Sequence, residues 1–176
     1  MLGLLASASC LVTKDVDFSV QNSPPAVTRT SPEDFATVPE TSDADCSTVG
    51  ETIFMRFDAR IVDIDVDQTL QARLLVNGVI VGQGQRQIGP ARRNLPERTF
   101  APFCISADNL REACNLVELV VSSAFDPLAA ADPYATELPN DLGRTEWWVL
   151  PRAANQPAAR AADCLARVQP RDGGVP

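Results

Sequence analysis

The chain has 176 residues, 45% of them hydrophobic, and a formal net charge of −8. Such a length fits one domain with extended ends rather than two, and the acidic field repels phosphate backbones, which argues against a nucleic-acid partner. There is no histidine, the single lysine is Lys14, and no G-x-S-x-G nucleophile elbow occurs. The usual general base, nucleophile activator and transition-metal ligand are therefore missing, and the sequence reads as non-catalytic.

In chain order, the first element is MLGLLASASC, a short apolar run with the small residues Ala8 and Ser9 directly before Cys10. It resembles the end of a bacterial lipoprotein signal peptide, with Ser7 standing where an aliphatic residue is usual. The resemblance implies cleavage before Cys10, lipidation of its thiol, and a place in the bacterial cell envelope, as an outer-membrane lipoprotein facing the periplasm or the cell surface. Setting Cys10 aside leaves Cys46, Cys104, Cys114 and Cys164, an even set suited to disulfides in an oxidising compartment. No stretch approaches the length of a membrane-spanning helix, so the expected attachment is by lipid.

Residues 10–50 read as a tether and an edge strand: DFSV is strand-like, NSPPAV follows, and Pro24, Pro25, Pro32 and Pro39 interrupt any ladder. The acidic stretch from Glu33 to Glu51 reads as solvated linker. From Thr52 a period-two alternation begins, with Ile53, Met55, Phe57, Ala59 and Ile61 on one face of a strand. Residues 70–76 alternate again and end in Asn77-Gly78, the strongest short hairpin signal, before a brief return strand from Val79 to Val81.

IGPARRNLPE reads as irregular, TFAPFCI as a strand broken by Pro102, and SADNLREAC as a capped helical turn at Ser106. NLVELVVSS is a strand with Val117, Leu119 and Val121 on one face and Leu116, Glu118 and Val120 on the other, only the first being fully apolar. A long connection from Phe125 to Arg144 leads to the final strand TEWWVL, closed by Pro151, and the Ala- and Arg-rich tail from 152 on has helical character near 158–168. Short alternating strands without a strong interior helix predict an all-β, antiparallel sandwich over residues 51–151.

The run FMRFDARIVDIDVDQTLQARLLVNG resembles strands B and C of polycystic-kidney-disease-type and related bacterial immunoglobulin-like domains. NLVELVVSS resembles their strand F, and NSPPAV their lead-in. The resemblance implies an immunoglobulin-like sandwich serving as a spacer, adhesion unit or docking module, hence an envelope protein partner. Those domains commonly carry tryptophan in strand C; here that strand offers Leu74 and Leu75, and the core anchor falls to Trp147 or Trp148. In that topology the four cysteines gather at one pole, with Cys104–Cys114 and Cys46–Cys164 favoured and the other two connectivities open.

Two ligand sites compete with blander readings. Asp63, Asp65 and Asp67 form a D-x-D-x-D run, a weak calcium site or, as favoured here, an aspartate-capped turn, because Gln68 and Leu74 stand where an EF-hand needs Gly and Glu. No other cofactor is implied. Trp147, Trp148 and Tyr134 are the large amphipathic aromatics, and adjacent tryptophans in a strand face opposite sides, so one ring at most forms an outward platform for a sugar or a protein. The resulting expectation is a non-catalytic structural or protein-interaction module of the envelope, with a calcium- or carbohydrate-binding module as the alternative.

Overall fold

The computed structural model describes residues 22–46, 52–91 and 95–151, together with Ala162 and Cys164. Eight strands occur among them: β1 (Ala26–Ser31), β2 (Ala36–Thr37), β3 (Phe54–Val62), β4 (Leu70–Val76), β5 (Val79–Ile88), β6 (Phe103–Ser106), β7 (Asn115–Ser122) and β8 (Gly143–Leu150). They form a three-stranded sheet, β1-β3-β6, and a five-stranded sheet, β2-β8-β7-β4-β5. The order is that of an immunoglobulin-like sandwich, with β3 and β6 on one side and β8, β7 and β4 in sequence on the other. One pairing departs from the antiparallel rule: β2 runs parallel to the end of β8, with Ala36 opposite Val149.

The period-two pattern fixes which face each strand buries. Met55, Phe57 and Ile61 of β3 and Phe103 and Ile105 of β6 share one core cluster with Leu74 of β4, Val117, Leu119 and Val121 of β7, and Trp147 and Val149 of β8. Trp147 is fully buried, and its ring meets Phe57 edge to face with centroids 5.4 Å apart, joining the two sheets at their centre. This tryptophan on β8, in place of one on β4, anchors the core.

Local chemistry accounts for the boundaries. Asn77 and Gly78 both take positive φ, 51° and 81°, the turn geometry that suits a two-residue hairpin. The return strand β5 is longer than the expected Val79–Val81, because it passes through a bulge and goes on to Ile88. Its register with β4 jumps from Leu75–Ile80 to Arg73–Gln85, with Gly82 at φ 73° inside the jump, a backbone state that glycine adopts without steric cost. Ser106 caps a 3₁₀ turn, Ala107–Asn109, by accepting from the Asp108 N–H.

The described part of the acidic stretch, expected as solvated linker, keeps Glu33, Glu40, Asp43 and Asp45 exposed, but its backbone is held against β8 and β3. Val38 and Cys46 are buried, Asp43 N donates to Phe54 O, and Phe54 N donates to Ser42 Oγ at 2.9 Å. Arg56 holds this segment from β3 through ion pairs to Asp43 and Asp45, and pairs as well with Asp58 on its own strand. Burial pushes the Asp58 carboxyl up, but hydrogen bonds from Arg56 and Ser31 outweigh it and hold the group below its ordinary value.

The disulfides are Cys46–Cys104, with Cα atoms 5.8 Å apart, and Cys114–Cys164, at 5.6 Å. This corrects the favoured pairing of Cys104 with Cys114 and Cys46 with Cys164. Cys104 lies on β6 opposite Arg56 of β3, the strand against which the 38–46 segment folds, so Cys46 is its neighbour. The 3₁₀ turn then carries the chain to the other sheet, where Cys114 packs with Leu150 and Cys164. The two described tail residues, Ala162 and Cys164, are helical.

Candidate functional site

Three arrangements of polar and aromatic side chains stand out: the β3–β4 turn, the outer face of the five-stranded sheet, and a groove along β8. Cys10 and the DFSV segment lie outside the described residues.

The β3–β4 turn carries Asp63, Asp65 and Asp67, and its centre is occupied by Arg98. The Arg98 guanidinium donates to the carbonyls of Asp65 at 2.7 Å, Val66 at 3.1 Å and Gln68 at 2.9 Å, and pairs with the Asp63 carboxylate. Asp63 Oδ1 accepts from Asp65 N, Asp65 Oδ2 accepts from Ser23 N, and Asp67 is exposed. The three carboxylates point to different partners, Asp63 to Arg98, Asp65 to Ser23 N and Asp67 to solvent, an arrangement of the kind an aspartate-capped turn makes. Among the described residues no group of acidic or cysteine side chains is arranged to hold a metal ion.

The connection between β7 and β8 folds back over the outer face of the five-stranded sheet. Leu75 and Val120, on the face opposite the main core, are buried under Phe125, Tyr134 and Leu142. β7 is thus covered on both faces, although only one of them is fully apolar in sequence. Asp141 pins the base of the loop by accepting from Ser122 Oγ and Ser123 N, both at 2.8 Å. Arg73 lies over the Phe125 ring, 3.8 Å from its centroid, and donates to Pro133 O. Tyr134 donates its hydroxyl to Glu118 Oε2 at 2.7 Å, and Arg144 pairs with the same carboxylate. Burial, with the hydrogen bond to Glu118 adding to it, pushes the Tyr134 hydroxyl up to about 12.

The groove, of about 610 Å³, runs where β1 leaves the edge of β8, lined by Arg29, Phe35, Thr145, Glu146 and Trp148 among others. Trp148 is the outward partner of core-bound Trp147 and packs with Phe35 against Leu150 and Cys114. Phe35 holds φ at 62°, an uncommon state for a bulky side chain, and its N–H donates to Trp148 O at 2.6 Å. Trp148 N donates to Asp34 Oδ1, while Arg29 pairs with Asp34 and reaches Glu146 O at 3.2 Å.

The structure therefore separates the three aromatics singled out in sequence. Trp147 belongs to the core, Tyr134 to the covering loop and Trp148 to the groove. Arg98, Phe35 and Arg29 carry no pattern in sequence that marks them; Glu118, a lone acid within an apolar strand, does. No family model, no curated protein and no solved structure matches the chain.

Proposed function

We propose that the protein is a non-catalytic lipoprotein of the bacterial cell envelope, anchored through Cys10, whose sandwich serves as a structural or protein-interaction module. The observation that carries this reading is the pairing of Cys46, Cys104, Cys114 and Cys164 into two disulfides that tie distant segments together, an arrangement that persists in oxidising compartments. The lipoprotein-like MLGLLASASC run supports the same location. The buried acids support a non-catalytic role, since Asp63 is held by Arg98, Glu118 by Tyr134 and Arg144, and Asp141 by two serines.

A second reading, a carbohydrate-binding module, is favoured by Trp148, whose ring lines a groove beside Asp34, Glu146 and Arg29; an aromatic face flanked by polar planar groups suits a sugar ring.

Intact mass of the protein from a bacterial host, with and without reduction, tests the first reading. The expected result is loss of the nine residues before Cys10, acyl mass on that cysteine, and four oxidised cysteines. An unmodified N-terminus with free thiols overturns it.

A further inference from the structure

The chain enters the sandwich at the end that carries the β3–β4 turn. β1 starts with Ala26 opposite Val62, the last residue of β3, and just before it Ser23 N donates to the Asp65 carboxylate of the turn. The segment leading to β6 closes the same end: Val62 bridges Glu97, and Asp63 N donates to Pro96 O at 2.9 Å. The antiparallel register of those contacts brings Ile64 abreast of Leu95. Both side chains are apolar and open to water, at 68% and 61% exposure.

The two residues stand on a fixed frame. Arg98, three residues after Leu95, holds the carbonyls of Asp65, Val66 and Gln68 from the interior, and its ion pair with Asp63 is sealed from water. A pair of apolar groups held outward at the point of chain entry is placed to meet whatever the chain is tied to. Twelve residues separate Cys10 from Ser23, and a chain of that length spans no more than about 45 Å. A lipid on Cys10 therefore keeps this end of the sandwich close to a bilayer, a confinement equivalent to an effective concentration on the order of millimolar. Two apolar side chains are too few to hold a free protein on a membrane, but under such confinement their burial at the interface decides which end faces it. The charges here differ in sign, with Asp67 exposed in the turn and Arg92 and Arg93 just before Leu95 in sequence, so the apolar pair sets the contact.

We infer that Ile64 and Leu95 dock this end of the sandwich on the surface of the bilayer that holds the Cys10 anchor, which turns the Asn77-Gly78 hairpin at the opposite end away from the membrane. This rests on the lipoprotein reading above and gives the anchored domain its orientation.

The test supplies the anchor chemically. The full oxidised chain, made without acylation, is coupled through its Cys10 thiol to a maleimide-headgroup lipid in phosphatidylcholine nanodiscs. Its amide hydrogen exchange is compared with that of the same chain capped at Cys10 and free in solution. Peptides covering residues 62–68 and 95–98 are expected to exchange about threefold or more slowly on the nanodisc, also in salt concentrated enough to screen charge, with the Asn77-Gly78 hairpin unchanged. Ile64→Ser combined with Leu95→Ser alters two exposed side chains, so the urea midpoint stays in place while the slowing disappears. No slowing, slowing only at another surface, its loss in high salt, or its persistence in the double variant overturns the inference. Because the maleimide lipid stands in for the natural acyl chain, none of these outcomes depends on whether a host acylates Cys10, which the mass measurement above decides separately.

Discussion

Arg98 and Asp63 form an ion pair in which both side chains are sealed from water, at 0% and 1% exposure, and the same guanidinium gathers three carbonyls of the β3–β4 turn. Removing one partner of such a pair leaves an uncompensated charge in the interior. Arg98→Met is expected to destabilise the fold by about 3–5 kcal/mol in urea unfolding. The double variant Asp63→Asn, Arg98→Met should lose less than the sum of the two single changes, with a coupling of about 0.5–3 kcal/mol. Simple additivity would show that the turn does not depend on this contact.

Tyr134 is the single tyrosine of the chain, so phenolate absorbance reports on it alone. Its hydroxyl, pushed up to about 12 by burial and by donation to Glu118, should titrate near that value in the folded protein and near 10 when denatured. Because the folded state holds this proton more tightly, the contribution to stability is complete below about pH 10 and disappears as pH rises through about 12. Tyr134→Phe should remove that alkaline slope, which pH-dependent urea midpoints would reveal; an unchanged slope counts against the Tyr134–Glu118 contact.

The fold was legible where burial alternates residue by residue. Thr52–Ile61, Leu70–Val76, Asn77-Gly78 and NLVELVVSS state their structure through a period of two and a turn that only particular residues make. The parts that sequence hides are set by long-range placement. Nothing near Arg98 marks it as the centre of a turn some thirty residues earlier in the chain, and nothing in the Ala- and Pro-rich 125–142 connection announces that it covers Leu75 and Val120. Cysteine pairing is of the same kind: counting gives an even set, whereas partners follow from β6 and β7 lying in different sheets. Of the groove, only Trp148 was visible, through the alternation that buries Trp147.

The two disulfides close spans of 58 and 50 residues, for which restriction of the unfolded chain contributes about 4 kcal/mol each. Cys46→Ser with Cys104→Ser, and separately Cys114→Ser with Cys164→Ser, should each lower stability by an amount of that order. Peptide mapping under non-reducing conditions should recover a Cys46–Cys104 and a Cys114–Cys164 fragment; recovery of Cys104–Cys114 would contradict the placement of β6 and β7.

Gly143 begins β8 directly beneath the chain entering β1. A Cβ there would lie 2.0 Å from Pro25 O and 2.8 Å from Val27 Cγ2, and the first of these is backbone that yields only by moving the strand. Gly143→Ala should cost about 1–3 kcal/mol, as overpacking at a close contact does, and should shift Pro25 away from the end of the groove. Gly89 offers the control, since a Cβ there meets nothing within 4 Å, and Gly89→Ala should stay within about 0.5 kcal/mol of the parent. Thermal unfolding of the two variants side by side separates a general effect of removing glycine from the specific approach of β1 to β8. Equal melting temperatures would mean that the two strands are not held this close at Gly143.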